Sequence, residues 1–226
     1  MTKPLESELR AGARTLGLDL SDAQVDQLLA YQDLIQKWTK VYNLTAVRDP
    51  AEMLTHHLLD SLAVVLPLQK QMVAMREAGV LAVDASVRLL DVGSGAGLPG
   101  AVIAICCPDV TVHCVDTVAK KAAFIQQVAA SLKLSNLRGI HARVENLTDT
   151  YQVVSSRAFA SLLDFVTWSR KCLVEQGVWM AMKGKHPSDE IAALPAGVQV
   201  FHVEPLVVPG LDAERCILWL RPAVSV

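Results

Sequence analysis

No apolar run among the 226 residues approaches the ~18–20 residues that cross a bilayer, so no membrane span is expected. The first residues carry Glu6 and Glu8 and no apolar signal core, so no secretion signal is expected there either. The five cysteines (Cys106, Cys107, Cys114, Cys172, Cys216) form no C-x-x-C pair and have no histidine at metal spacing. Buried thiols in a reducing cytosol are the expectation, with no metal. Excess positive charge is also missing. The net charge of −2 weighs lightly against a nucleic-acid partner, because a small basic patch can sit within a near-neutral total. Glycine is absent between Leu18 and Ala78, and no repeat or low-complexity tract occurs. A composition of 52% hydrophobic and 19% charged residues excludes a disordered chain, so a soluble, cytoplasmic protein is expected.

Glycine, scarce early, concentrates in Leu89-Leu90-Asp91-Val92-Gly93-Ser94-Gly95-Ala96-Gly97-Leu98-Pro99-Gly100. An apolar run ends in an acid, four glycines follow within eight positions, and Ala101–Ile105 continues as an apolar helix face. Strand, glycine turn and helix is how α/β folds place an adenosine moiety against backbone N–H groups. Two cofactors fit. Asp91-x-Gly93-x-Gly95-x-Gly97 is the pattern of S-adenosylmethionine (SAM) methyltransferases, and Gly95-x-Gly97-x-x-Gly100 satisfies the dinucleotide fingerprint.

The glycine-free segment reads as helices. Ser21-Asp22 makes an N-cap, and Val25, Leu28, Leu29, Tyr31, Ile35 and Trp38 recur at helical spacing. Asp49-Pro50 starts another helix, with an apolar face from Leu54 to Leu66. Residues 1–66 are therefore expected to form a helical cap, and residues 67–86 a helix end plus connector. Residues 87–226 alternate in the βαβ manner. Strands are expected at Leu89–Val92, Thr111–Val115, Leu137–Ala142, Tyr151–Ser155 and Val178–Met182. Helices are expected at Gly100–Cys107, Ala119–Leu132, Leu162–Leu173 and Ser188–Leu194, with a closing hairpin at Val198–Val208 and Arg215–Leu220. The predicted architecture is an open, doubly wound α/β sheet with a C-terminal antiparallel hairpin.

Ligands of such sheets bind beyond the carboxyl ends of the strands. Polar residues collect there: Asp91, Asp116, Glu145, Arg157 and Lys183. Asp116, ending the second strand, can accept two hydrogen bonds from ribose hydroxyls, or cap the helix starting near Val118. Asp91 leans towards SAM, since a carboxylate can meet a sulfonium but gains nothing from a pyrophosphate. Glu145 reads equally well as an adenine-pocket residue and as a solvated acid. At the end of strand four, Ser155-Ser156-Arg157-Ala158-Phe159-Ala160 replaces the Asn/Asp-Pro-Pro-aromatic motif of enzymes that methylate the adenine amine, and no Pro-Cys suggests a cysteine nucleophile. A target that is already nucleophilic is permitted. Guanine N7 has a free lone pair and no proton to lose, so alignment matters more than a general base. His56, His57 and Asp60 share a helix face but have no partner cluster for a metal; a polar contact between cap and core is favoured. Lys37, Lys40, Arg48, Lys120, Lys121, Arg138, Arg143, Lys183 and Lys185 read singly as solvated charge, and together could frame an RNA groove with Trp38 or Tyr42 for stacking.

Several segments together resemble the bacterial small-subunit ribosomal RNA guanine-N7 methyltransferases, also called glucose-inhibited division protein B. They are Lys37-Trp38-x-Lys40-x-Tyr42-Asn43-Leu44-Thr45-x-Val47-Arg48-Asp49, His57-x-x-Asp60-Ser61, the glycine loop, Arg143-Val144-Glu145, Ser156-Arg157-Ala158-Phe159-Ala160 and Lys183-Gly184. The similarity covers roughly residue 20 to the C-terminus. It implies a class I methyltransferase fold with a helical N-terminal extension, SAM as donor, and guanine N7 of small-subunit (16S) ribosomal RNA as target, free or in an assembled 30S-type subunit. It carries SAM contacts to Gly93, Leu98, Val144, Glu145 and Arg157; with the loop and strand ends, the cofactor set becomes Gly93, Gly95, Gly97, Leu98, Asp116, Val144, Glu145 and Arg157. Arg48, His57 and Lys183 are expected to face the substrate, no residue is assigned as catalytic, and a monomer is expected. The chain departs from the family at residues 67–86, longer than the usual connector. An NAD-dependent oxidoreductase using the same loop is the second reading, and a non-catalytic binding protein the third.

Overall fold

A computed structural model describes residues 2–82 and 84–223; Met1 of the cap, Val83 of the connector and residues 224–226 lie outside the described residues. Helix α1 (Thr2–Thr15) is followed by α2 (Asp22–Tyr42). Ser21 closes a reciprocal capping box with Gln24, each side chain bonding the other's backbone N–H, at 3.2 and 3.0 Å. Asn43 in the left-handed conformation ends α2. Asp49 caps α3 (Pro50–Met53) through the N–H groups of Ala51 and Glu52, with Pro50 at the first turn, where its missing N–H costs nothing. A π-helical turn (Leu54–Leu59), α4 (Asp60–Leu62) and α5 (Val65–Glu77) continue almost without a break.

One expectation needs correction here. The stretch taken as a helix end plus connector carries helix as far as Glu77, because Val65, Leu68, Met72 and Met75 form a buried stripe. Joined end to end, Pro50–Glu77 is also long and apolar enough to cross a membrane, with an 18-residue window of mean hydropathy 1.2. That window is 67% buried inside the fold, as expected of a core helix.

Strands β1 (Val87–Val92), β2 (Val110–Asp116), β3 (Leu137–His141), β4 (Tyr151–Arg157), β5 (Leu173–Lys183), β6 (Val198–Leu206) and β7 (Arg215–Pro222) form one sheet in the order 3-2-1-4-5-7-6. The first five are parallel, and β7 pairs antiparallel with both β5 and β6. Helices α6 (Gly100–Cys106), α7 (Ala119–Ser131), α8 (Leu162–Ser169) and α9 (Ser188–Ala192) supply the crossovers. The expected strands and helices are all present; β5 starts five residues early, and a 3-10 turn at Arg170–Cys172 replaces the last turn expected of α8.

Successive strand residues point to opposite faces, so the sheet divides the core in two. Leu89, Val112, Val153 and Met180 pack with α6, α7 and the buried residues of the N-terminal helices in one cluster. Leu90, Val115, Val154 and Trp179 pack with Phe165 of α8 in the other. The N-terminal helices thus share a core with the sheet. Gln24 and Gln27 of α2 donate to the carbonyls of Ile105, Cys106 and Leu132, satisfying the open ends of α6 and α7. Strand order reverses between β1 and β4, and this switch point fixes where a ligand crevice opens.

Candidate functional site

The turn after β1 is possible because Gly93, Gly95 and Gly97 take φ of 65, 59 and 89°, a region that side chains disfavour. Three contacts then fix it. Asp91 is wholly buried; its Oδ2 accepts the Gly100 N–H at 3.0 Å and its Oδ1 accepts the Ser155 hydroxyl at 2.9 Å. Asp116 Oδ2 accepts the Gly95 N–H at 3.1 Å. From the other side of the loop, the buried Tyr31 hydroxyl of α2 donates to the Ala96 carbonyl at 2.6 Å. A Cβ on Gly97 would stand 3.3 Å from that hydroxyl.

Asp91, which the sequence places near a ligand's cationic end, is bonded within the fold. Its two oxygens tie β1 to α6 and β4, and it does not line the adjacent cavity. Burial raises its pKa to about 6, with the Ser155 and Gly100 hydrogen bonds opposing the rise.

Beyond the loop lies a cavity of about 440 Å³, in the size range of small-molecule sites. Its walls come from the ends of successive strands: Gly93 after β1, Asp116 and Val118 after β2, Val144 and Glu145 after β3, and Phe159 after β4, with Trp168 from α8. Phe159 lies edge-on to Trp168, and a Cβ on Gly93 would run into the Phe159 ring. Of the expected cofactor residues, Gly93, Asp116, Val144 and Glu145 line this cavity. Gly95, Gly97 and Leu98 do not: Gly95 holds Asp116, Gly97 abuts Tyr31, and Leu98 is buried in the core. Asp116 lines the cavity, and its Oδ1 accepts the Val118 N–H just ahead of α7 at 2.8 Å.

Arg157 lines a second cavity, of about 350 Å³, together with His56, His57, Asp60, Lys183, Gly184 and Arg215. Ala158, in the left-handed conformation at φ 51°, lines both cavities. The carboxylate of Asp60 is buried and bridges two guanidinium groups, Arg157 Nη1 on Oδ2 and Arg215 Nε on Oδ1, each at 2.8 Å. Lys183 pairs with Glu190 at 2.8 Å. His57 is bonded through Nε2 to Thr45 at 2.8 Å, and burial lowers its pKa. His57 and Lys183 thus reach the second cavity, whereas Arg48 does not. Arg48 bonds the Thr39 carbonyl and the Asn43 side chain, closing the end of α2.

The sequence reading missed Tyr31, Ser155, Trp168 and Arg215 as site residues. Only Ser155, next to the Ser156-Arg157 motif, carried a local signal. Arg215 meets Asp60 across 155 residues. Among the described residues, no group of three or more His, Cys, Asp or Glu could hold a metal.

An open sheet with this strand order, a glycine turn after the first strand and an acid after the second is the class I SAM-dependent methyltransferase fold. TrmN from Thermus thermophilus shares it, with a TM-score of 0.53 at 16% identity over 75% of this chain and 53% of that one. The chain belongs to the GidB family, described as rRNA small subunit methyltransferase G, whose model matches residues 24–218. Two relatives named ribosomal RNA small subunit methyltransferase G are 69% and 70% identical. The first, from Acidovorax ebreus (strain TPSY), aligns over 96% of each chain; the second, from Acidovorax sp. (strain JS42), over 96% of this chain and 95% of its own.

Two outcomes follow from the loop's anchors. Tyr31→Phe leaves the Ala96 carbonyl without its donor, so it should lower unfolding free energy by about 1 kcal/mol in urea titrations; amide exchange at Gly97 and Leu98 should also speed up. A raised folded-state pKa means that Asp91 takes up its proton more readily when folded than when unfolded. Its contribution is fully present below the unfolded value of 3.8 and is lost as pH rises towards about 6. The melting temperature of Asp91→Asn should lack this part of the pH response between about 4 and 6, seen as a difference from the parent protein.

Proposed function

We propose that the chain transfers a methyl group from SAM to N7 of a guanine in small-subunit (16S) ribosomal RNA, in the cytoplasm where such subunits are assembled. The observation that carries this reading is the pair of cavities meeting at Ala158, one suited to an adenosyl donor and the other to an anionic acceptor. Family membership and the relatives' names support the RNA substrate.

The first cavity fits the donor. Val118, Val144, Phe159 and Trp168 offer apolar surface for adenine, Asp116 an acceptor for ribose hydroxyls, and Glu145 a second acid at the rim. SAM, when bound, supplies an electrophilic methyl carried on a sulfonium. The oxidoreductase reading fits poorly. A dinucleotide pyrophosphate would need free N–H groups at the start of α6. There Gly100 N–H is bonded to Asp91 and Ala101 N–H to the Gly97 carbonyl.

The remaining residues align and exclude. Ala158 marks the neck where the methyl crosses, and its small side chain leaves room for the two reactants to approach. The second cavity contains no group that must act as a base. His57 is bonded through Nε2 to Thr45, Lys183 is paired, and Asp60 is taken by two arginines. An acceptor with a free lone pair needs none, and alignment at the neck supplies the catalysis. The helical cap, through His56, His57 and Asp60, forms the substrate side of that neck.

Titrating the protein with SAM and with NADH, then following label from SAM in single turnovers with undermethylated small subunits and with naked RNA, tests this. SAM binding without measurable NADH binding is expected, with label recovered at guanine N7 in one of the two substrates. NADH binding without SAM binding would contradict the donor. SAM binding without transfer to either RNA would leave the binding-protein reading standing instead.

A further inference from the structure

We propose that Arg157 and Arg215, clamped side by side on Asp60, form a binding site for one phosphodiester of the acceptor strand. This rests on the RNA-acceptor reading above and assigns the part of the ligand that the second cavity grips. The central carboxylate is 3% exposed and gives one oxygen to each guanidinium. A single acid between two arginines fixes both planes and leaves part of each donor set open. Arg157 spends Nη1 on Asp60 and the His56 carbonyl, while Arg215 spends Nε on Asp60 and Nη1 on the Glu214 carbonyl. Among the described residues, Nε and Nη2 of Arg157 and Nη2 of Arg215 bond no protein atom, and both side chains border the cavity.

Charge and shape point to the same ligand. Lys183 is neutralised by Glu190, and Asp60 cancels one arginine, leaving a single net positive charge. A phosphodiester carries one negative charge and offers the in-plane oxygens that guanidinium forks match. The groove also continues past this point. A third cavity, of about 420 Å³, shares Gly184 and Arg215 with the second, and has Lys185 and His186 on its rim, with Glu214 as its acid. A strand whose target base enters beside Ala158 would therefore pass its backbone over Arg215 towards Gly184. Arg215 sits on the closing hairpin and Asp60 on the cap, so the site exists only when the two ends of the chain are docked.

Arg215 is the residue to change, because Arg157 also adjoins the donor's neck. The probe is undermethylated small subunits, assayed with SAM over a range of salt concentrations. Arg215→Gln should raise KM for subunits about tenfold, the loss expected for a charge-assisted hydrogen bond. It should flatten the slope of log(1/KM) against log[salt] by about 0.7. SAM affinity, measured by calorimetry, should be unchanged. Arg215→Lys should restore the salt slope but not the full affinity, because an ammonium keeps the charge and loses the fork. An unchanged slope for Arg215→Gln, or a KM rise matched by an equal loss of SAM affinity, would overturn the site. A parent protein that binds SAM and methylates no RNA would instead overturn the functional reading beneath it.

Discussion

The site depends on one buried carboxylate near the end of β1. Asp91 lies between Cys114 of β2 and Ser155 of β4 in the sheet register, and reaches past the glycine turn to the first N–H of α6. Its burial works against folding, as its raised pKa records. The two hydrogen bonds it accepts offset part of that cost. The result is a turn closed against its own helix. The helix N-terminus, which in dinucleotide-binding proteins receives a phosphate, here receives an internal carboxylate. The open cavity is displaced to the ends of β2, β3 and β4, where the walls are apolar and acidic. That internal bond occupies the N–H a dinucleotide pyrophosphate would use.

The N-terminal helices act on the same machinery. Tyr31 holds the outer side of the glycine turn, and Asp60 aligns two arginines from β4 and β7. The two cavities consequently share walls with elements far apart in sequence, and meet at one residue, Ala158. A cap that shares its core with the sheet positions both cavities more rigidly than a tethered module would.

Local signals made most of this architecture legible. The Ser21 capping box, Asp49-Pro50, the glycine turn and the alternating strands are each specified by residues within a few positions of one another. Asp116 was recognised for the same reason: a polar residue that ends a strand beside the switch point has few places to go. What escaped was direction and distance. Spacing does not reveal that Asp91 points back into the fold, or that Gly97 faces Tyr31 across 66 residues of chain separation. Arg215 reads as an ordinary strand residue until β7 is paired with β5. Arg48 was read as a substrate contact, yet a nearby left-handed Asn43 and an open helix end claim it. Residues 67–77 were undervalued because their apolar stripe is built from methionine and leucine amid polar residues, with no capping residue to announce it.

The shared neck at Ala158 is the central claim, and a crystal structure with bound S-adenosylhomocysteine tests it most directly. The adenine should lie between Val144 and the Phe159–Trp168 pair, with the ribose hydroxyls on Asp116 and the sulfur turned to Ala158 and the second cavity. A sulfur directed away from Ala158, or a ligand seated at the N-terminus of α6 beside Asp91, would contradict the account.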